Sequence, residues 1–185
     1  MYLLEGIRKI RVTAELDTGA ADGSATAVTS EAIQEMGYSP VYVDNPQLIQ
    51  RGGDSILAVI QEDPSFLGVD LNINMAALEL ALKVLMAGGT VAGTKWSAPA
   101  DDTEMPYPFR LEAWVANYTE SDSESTQDGF IKYEFAFCKR GKLGSGSSAQ
   151  QAFTNDIFTA EARKNSSDPS SIEPAITQEK VSAIV

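Results

Sequence analysis

Residues 68–89, GVDLNINMAALELALKVLMAGG, change their hydrophobic period partway along the segment. Between Val69 and Met75 every second residue is apolar, which predicts a strand that buries one face. After Met75 the apolar residues recur at helical spacing up to a double glycine, and one stripe is formed by Leu78, Leu82 and Leu85. A strand that leads directly into a helix of about residues 76–88 predicts a sheet with a helix packed against it.

Most of the remaining chain has the pattern of β-strands. Residues 109–118 and 130–138 alternate in polarity and flank a polar connection, which predicts a hairpin. Residues 151–165 predict a further strand, with Phe153, Ile157 and Thr159 on one side. The segment TSEAIQEMG suits either a helical turn capped by Ser30 or a strand. Together these patterns predict one β-rich α+β domain spanning residues 1–185, a β-sandwich or partly closed barrel with one flanking helix.

Residue types that commonly carry catalysis are scarce. The chain has no histidine, the commonest general base and metal ligand, and its single cysteine excludes a disulfide within the chain. The glycine-rich residues 144–148, GSGSS, lack the lysine that a phosphate-binding loop needs. The triplet Asp17-Thr18-Gly19 has no second copy, which an aspartic protease requires. We therefore predict no enzymatic activity, no metal and no cofactor, and interpret Cys138 as a small buried apolar residue.

The chain carries a net charge of −12, and this charge is unevenly spread. Residues 101–128 hold eight acidic residues and one basic residue, and residues 12–50 hold six acidic residues and no basic one. Because affinity for phosphates needs lysine and arginine, such a surface either repels DNA or serves solubility alone. No stretch of about 20 apolar residues occurs and the N-terminus lacks a secretion-signal pattern, so we expect no membrane span and synthesis in the cytoplasm.

Residues 39–91 carry a resemblance to a known family. SPVYV at 39–43 precedes LIQRGGDSILAVIQED at 48–63, and the strand–helix segment GVDLNINMAALELALKVLMAGGTV follows at 68–91. This order of an extended segment, an RGGD turn, a strand, an acidic turn and a helix ending in GGT resembles the major tail tube proteins of long-tailed bacteriophages and phage-tail-like particles. The later hairpin at 109–118 and 130–138 also looks like the second half of that family.

The resemblance implies an assembly. In that family six copies form a ring, the rings stack helically, and four strands of each subunit join those of its neighbours around a channel that delivers DNA into the bacterial host. We accordingly expect an extended loop at about residues 38–54 that reaches the next ring, and a C-terminal arm at about residues 166–185. Candidate residues of an acidic channel wall are Asp70, Asn72, Asn74 and Glu112. Candidate inter-ring residues are Asn45, Gln47, Gln50, Arg51 and Asp54.

The partners that the resemblance implies are further copies of the chain, the tail tape measure protein, the baseplate or initiator, the tail terminator and, in a contractile tail, a sheath. DNA would pass transiently and without sequence preference. The protein would reside in the virion tail after assembly in the cytoplasm of the host bacterium. The alternative is a monomeric β-sandwich that binds carbohydrate or protein, for which a platform is offered by Trp96, Tyr107, Phe109, Trp114, Tyr118 and Phe130.

Overall fold

A computed structural model describes residues 2–4, 6–15, 27–43, 48–52, 55–60, 64–76, 79–100, 108–121, 124–144, 156–163 and 175–184. Its strands are β1 (Tyr2–Leu4), β2 (Ile7–Ala14), β3 (Val28–Ser30), β4 (Ile33–Val43), β5 (Leu48–Gly52), β6 (Ser55–Ile60), β7 (Ser65–Met75), β8 (Thr90–Ala92), β9 (Lys95–Ser97), β10 (Phe109–Ser121), β11 (Glu124–Gly144), β12 (Asp156–Arg163) and β13 (Ile176–Val181). Helix α1 spans Leu80–Ala87.

Nine of the described strands form one antiparallel sheet. Its order is β1-β4-β7-β12-β11-β10-β2-β3, and β13 pairs with β11 beside this path. The hairpins β5–β6 and β8–β9 form separate two-stranded sheets. The path does not return to its first strand, so the described strands do not close into a barrel. The predicted class, β-rich with one flanking helix, is confirmed for the described part of the chain.

The two ends of the large sheet pack against each other across the core. The ring centroid of Tyr38 in β4 lies 5.8 Å from that of Phe135 and 6.3 Å from that of Tyr133, both in β11. β2 also contacts β4, although four strands lie between them in the sheet order. The sheet therefore folds over into two layers. The first layer contains β2, β3, β10, β13 and residues 124–135 of β11, and the second contains β1, β4, β7, β12 and residues 138–144 of β11.

Strand β7 has the predicted alternation. Its four apolar residues Val69, Leu71, Ile73 and Met75 are buried in the core, while Asp70 and Asn72 are exposed. Other buried core residues include Ile10, Val12, Met36, Phe109, Leu111, Phe135 and Phe158. Burial of these aliphatic and aromatic side chains between the layers is the main stabilising contribution that this sequence offers.

Helix α1 begins four residues later than the predicted residue 76. The N–H of Ala76 donates to the carbonyl of Ala32 at 2.7 Å, so this residue remains tied to the sheet. Leu82 and Met86 are buried, and the helix is capped at its C-terminal end by Gly88, whose φ of 75° suits glycine. Leu78, part of the predicted stripe, lies outside the described residues. No helix in the described ranges has both the length and the apolar content to cross a membrane.

Two ambiguous segments are settled by strand pairing. Within TSEAIQEMG the structure selects the strand alternative, because residues 33–43 pair with β7. In β12, Ile157 and Thr159 share one side as predicted, but the buried side is the opposite one, formed by Phe158, Ala160 and Ala162. The register explains this, since Phe158 pairs with Ile73 and Ala160 with Leu71.

The expected loop and arm contain regular structure where they are described. Residues 38–43 belong to β4, and residues 48–52 pair with β6 in a hairpin, while 44–47 and 53–54 lie outside the described residues. Of the expected arm 166–185, residues 176–181 form β13 and pair with β11 of the same chain. The sequence KRGKLGSGSSAQ of residues 139–150 predicts a flexible turn, but its described residues 139–144 continue β11.

Candidate functional site

The side of each layer that faces away from the core is a candidate functional surface. On the second layer this surface, here called the Asp70 face, includes Glu35, Ser39, Val41, Gly68, Asp70, Asn72, Asn74, Lys139, Ile157, Thr159, Glu161 and Arg163, and the register also places Lys142 on this side, opposite Thr159. On the first layer the corresponding surface, here called the Glu112 face, consists of Lys9, Arg11, Arg110, Glu112, Trp114, Lys132 and Glu134.

The structure does not bring the four candidate channel residues together. Asp70, Asn72 and Asn74 follow one another on the Asp70 face, whereas Glu112 belongs to the Glu112 face. Because the two layers pack face to face across the core, their outer sides point in different directions. A single channel wall can therefore contain the three β7 residues or Glu112, but not both sets.

The Asp70 face is mostly polar and carries charges of both signs. Its acids are Glu35, Asp70 and Glu161, its basic residues are Lys139 and Arg163, and a third basic residue, Lys142, has its strand position on the same side. Arg163 donates to Glu161 at 2.9 Å and to Asp70 at 3.4 Å, so both acids hold this guanidinium. Farther along β7, the Oδ1 atom of Asn74 is buried and lacks a hydrogen-bond donor.

Gly68 makes room for this arrangement. It pairs directly with Arg163 across β7 and β12. A Cβ atom at Gly68 would lie 2.8 Å from the Cδ and Nη1 atoms of Arg163 and would overlap the carbonyl oxygen of Ala162. The glycine therefore allows the guanidinium to lie flat over the strand, where the two carboxylates reach it.

The Glu112 face carries a continuous chain of ion pairs, here called the ion-pair ladder. Arg110 contacts Glu15 and Glu134, each at 2.7 Å. Lys132 contacts Glu134 at 2.9 Å and Glu112 at 3.1 Å, and Arg11 pairs with Glu112 at the far end. Three acids thus alternate with three bases across strands β2, β10 and β11 and the residue that follows β2, Glu15.

The ladder affects the protonation of its members. Burial alone would raise the pKa of Glu112, which is 5% exposed, but hydrogen bonds from Arg11 and Lys132 outweigh this effect and lower the pKa. The hydrogen bond to Glu112 raises the pKa of Arg11. Burial opposes the charged form of Lys132, yet its bonds to Glu134 and Glu112 raise its pKa. These groups are therefore charged at neutral pH and neutralise one another.

Trp114 is buried on this same face, outside the central core. The guanidinium of Arg11 lies 5.3 Å and the ammonium of Lys9 6.0 Å from its ring centroid. Both cations are within the range of a cation–π contact, which orients long side chains over the ring. The cations of the Glu112 face are thereby held by carboxylates or by an aromatic ring, an arrangement that leaves them poorly placed to bind phosphates.

The aromatic platform of the alternative function is not assembled among the described residues. Phe109 and Trp114 are buried, and Trp96 donates its indole N–H to the carbonyl of Gly88 at 3.0 Å. Tyr118 is exposed, and Tyr107 lies outside the described residues. Within the described ranges there is also no group of three or more cysteine, aspartate or glutamate residues placed to hold a metal ion.

Cys138 is buried in the core, as predicted. Its burial, together with the nearby carboxylate of Glu15, raises the pKa of the thiol far above the usual range. A thiol reacts as its thiolate, so a buried thiol with a raised pKa is inert while the fold is intact.

We expect Cys138 not to react with a chromogenic disulfide reagent at pH 8 in the native protein. Full reaction of one thiol per chain should follow within minutes in denaturant, because unfolding exposes the group and restores its ordinary pKa. The measurement is thiol release followed by absorbance. Rapid stoichiometric reaction of the folded protein would contradict the burial of this side chain.

The candidate inter-ring residues fall on or beside hairpin β5–β6. Gln50 pairs with Ala58 and Arg51 with Ile56, whereas Asn45, Gln47 and Asp54 lie outside the described residues.

The stem from which this hairpin leaves the sheet is apolar and exposed. Tyr42 is 58% exposed, Val43 45% and Leu67 44%, and the Tyr42 ring lies 5.7 Å from that of Phe66. The sequence does not indicate this stem, because Leu67 lies two residues from the buried Val69 and strict alternation would predict that both are buried. The strand pair β4–β7 extends beyond the core, and alternation cannot indicate where the core ends.

Comparisons with known proteins add little to this geometry. No protein-family model matches the chain, and no curated protein matches it. Among solved structures, the chain is similar to a chain of the anti-feeding prophage (AFP) baseplate, determined by cryo-EM with six-fold symmetrisation. The similarity covers 94% of each chain at 10% sequence identity and a TM-score of 0.36. A TM-score this low does not establish a shared fold, so the proposals below rest on the residues of this chain.

Proposed function

We propose that this chain is a structural subunit that assembles with copies of itself into stacked hexameric rings, as the tube of a phage tail or phage-tail-like particle. The observation that carries the proposal is the hairpin β5–β6, which stands apart from the main sheet on an exposed apolar stem.

The hairpin needs a surface to pack on. A two-stranded hairpin by itself is only marginally stable in water. The sequence of β6, SILAVI, is apolar at five successive positions, so neither face of a strand with this sequence is polar. A second copy in the next ring would cover the apolar residues of the hairpin together with Tyr42, Val43 and Leu67 of the stem.

Ring closure is supported by the strand edges of the second layer. β4, β7, β12 and residues 138–144 of β11 are four successive antiparallel strands. At one edge, β1 pairs only with residues 36–38 of β4. At the other edge, the pairing of β10 with β11 ends at Cys138, so no described strand covers residues 139–144. The two edges run antiparallel, so pairing between neighbouring copies would continue the sheet around a ring and remove exposed edges.

The Asp70 face would then form the channel wall. Its three acids, Glu35, Asp70 and Glu161, equal in number the basic residues Lys139, Lys142 and Arg163 at its strand positions, and Arg163 is paired with Asp70 and Glu161. A DNA molecule passing along this wall would meet no excess of cations to bind its phosphates, and transient passage would follow. At the ends of such a tube, the initiator, the terminator and the tape measure protein would contact the same ring surfaces.

Replacing residues 44–64 with a four-residue turn tests the proposal. Val43 and Ser65 are paired neighbours in adjacent strands, so a short turn containing Asn-Gly can join them without disturbing the sheet. We expect the shortened chain to remain folded, with a free energy of unfolding within about 1 kcal/mol of the parent. We also expect it to form no stacked rings or filaments in negative-stain micrographs, whereas the parent chain does.

A matched control changes the other hairpin tip. Ser121 and Glu124 pair across a two-residue connection, so converting residues 122–123 to Asn-Gly alters a tip of the same sheet and leaves β5–β6 intact. This control should assemble like the parent. Filaments formed by the shortened chain would refute the inter-ring role, and a parent chain that stays monomeric at high concentration with its initiator complex would refute tube formation.

A further inference from the structure

Strand β11 passes from one layer of the sandwich to the other. Up to Phe135 it pairs with β10 and β13 in the first layer, Cys138 pairs with both β10 and β12, and beyond Cys138 the strand pairs with β12 in the second layer. Phe137, between these positions, has a φ of 50°, the one positive φ of a non-glycine residue in the described ranges. The register shift there points both Phe135 and Cys138 into the core.

This left-handed conformation is unfavourable for phenylalanine by about 1–2 kcal/mol, so the surroundings must stabilise it. The carboxylate of Glu15 is in position to do so. Its Oε2 atom accepts the backbone N–H of Phe137 at 2.9 Å, and its Oε1 atom accepts the Nε–H of Arg110 at 2.7 Å. The N–H of Glu15 itself donates to the carbonyl of Pro108 at 2.7 Å, which fixes the acid at the start of β10.

Glu15 is 1% exposed, and a carboxylate buried this deeply is stable only when cations and hydrogen bonds compensate its charge. Arg110 supplies the cation and is itself oriented by Glu134, so the ion-pair ladder ends at the bend of β11. The bend is therefore attached to a rigid network of side chains and not only to the backbone of its own strand.

We propose that Glu15 is a positioning residue that holds the bend of β11 and thereby sets the angle between the two layers. Where this concerns assembly, it rests on the proposed function: the angle determines how the edges of the second layer meet the next copy, and so the curvature of the ring. Loss of the Glu15 contacts would loosen the bend locally while most of the core remains packed.

The test uses Cys138, which lies next to the bend, as a reporter of local opening. In Glu15→Gln the amide group still accepts one hydrogen bond but presents its NH₂ to the other donor. We expect the rate of Cys138 labelling under native conditions to rise at least roughly tenfold beyond the change that global unfolding explains. Hydrogen exchange at the Phe137 amide should accelerate in parallel. Glu15→Asp, which keeps the charge but is one methylene shorter, serves as a second variant if Glu15→Gln does not fold.

Ile73→Val is the matched control. It shortens a buried core side chain away from the bend, so its labelling rate should change only as its global stability changes. If the rate of Cys138 labelling in the Glu15 variants also changes only as much as their global stability changes, the proposal is overturned. The rate of Cys138 labelling is measured without assembly, so it tests the role of Glu15 separately from the tube proposal. Micrographs of the variant then show whether the curvature of the ring changes.

Discussion

Gly141→Ala should destabilise the fold by about 3 kcal/mol or more. Gly141 lies in the second half of β11, where helix α1 packs against the strand. A Cβ atom at this position would overlap the carbonyl oxygen of Met86 and lie 2.8 Å from its carbonyl carbon. Because these are backbone atoms in the last turn of α1, they cannot move aside as a flexible side chain could, and the helix must shift from its place on the core. Chemical denaturation measures the loss.

Gly93→Ala is the control for this substitution. Gly93 has a φ of 61° and open space around the position of a Cβ atom, so alanine there adds backbone strain of about 1 kcal/mol and no collision. A clearly larger loss for Gly141→Ala than for Gly93→Ala is the expected result. Equal losses would mean that the helix does not lie against β11 as described.

Glu112→Lys should destabilise the fold by about 3 kcal/mol, whereas Asp70→Lys should have little effect on stability. The lysine at position 112 would stand beside Arg11 and Lys132, two cations that now share the Glu112 carboxylate. Asp70 is exposed and bonds only weakly to Arg163, which keeps Glu161 as its closer partner. Thermal or denaturant unfolding measures the free energy of unfolding of both variants and shows the difference between them. A stable Glu112→Lys protein would show that the ion-pair ladder contributes little.

The pH dependence of stability provides a second measurement at Glu112. Since its folded pKa lies below the ordinary value of about 4.3, the ladder stabilises the fold fully above that pH. The contribution is lost as the pH falls through the lower, folded pKa. The stability difference between the parent and Glu112→Gln should therefore shrink on acidification below about pH 4.3. A difference that stays constant down to pH 2 would argue against the ion pairs as its origin.

Under the proposed function, Asp70→Lys also has a distinct consequence. A lysine on the Asp70 face would add a cation beside Arg163 and Lys139, so assembled tubes should still form but bind DNA more strongly, in a salt-dependent manner. Glu112→Lys offers no comparable test of the channel wall, because its first effect is on folding. The sequence suggested both residues for the wall, but only the pairing of strands reveals that they lie on different layers.

The local features of the fold could be predicted from the sequence. The alternation from Val69 to Met75, the hairpin of residues 109–118 and 130–138, and the burial of Cys138 all appear in the structure. Each depends on a pattern or a composition within a few residues, because a half-buried strand alternates polar and apolar residues along its sequence. The helix was predicted as well, although it begins at Leu80 instead of Ala76, whose N–H donates to the carbonyl of Ala32.

Other features depend on contacts between residues far apart in the chain. Glu15 and Phe137 are 122 residues apart, and Arg11 and Glu112 are 101 apart, so no local pattern reveals that they meet. The buried side of β12 follows from its register with β7, and the sequence around Gly141 predicts a turn, whereas in the structure this glycine lies in β11 against the last turn of α1. Sequence alone thus determined that most of the chain forms strands and which face of β7 is apolar. Only the tertiary structure decided how the sheet folds over, because register and curvature arise from the packing of the two layers on each other.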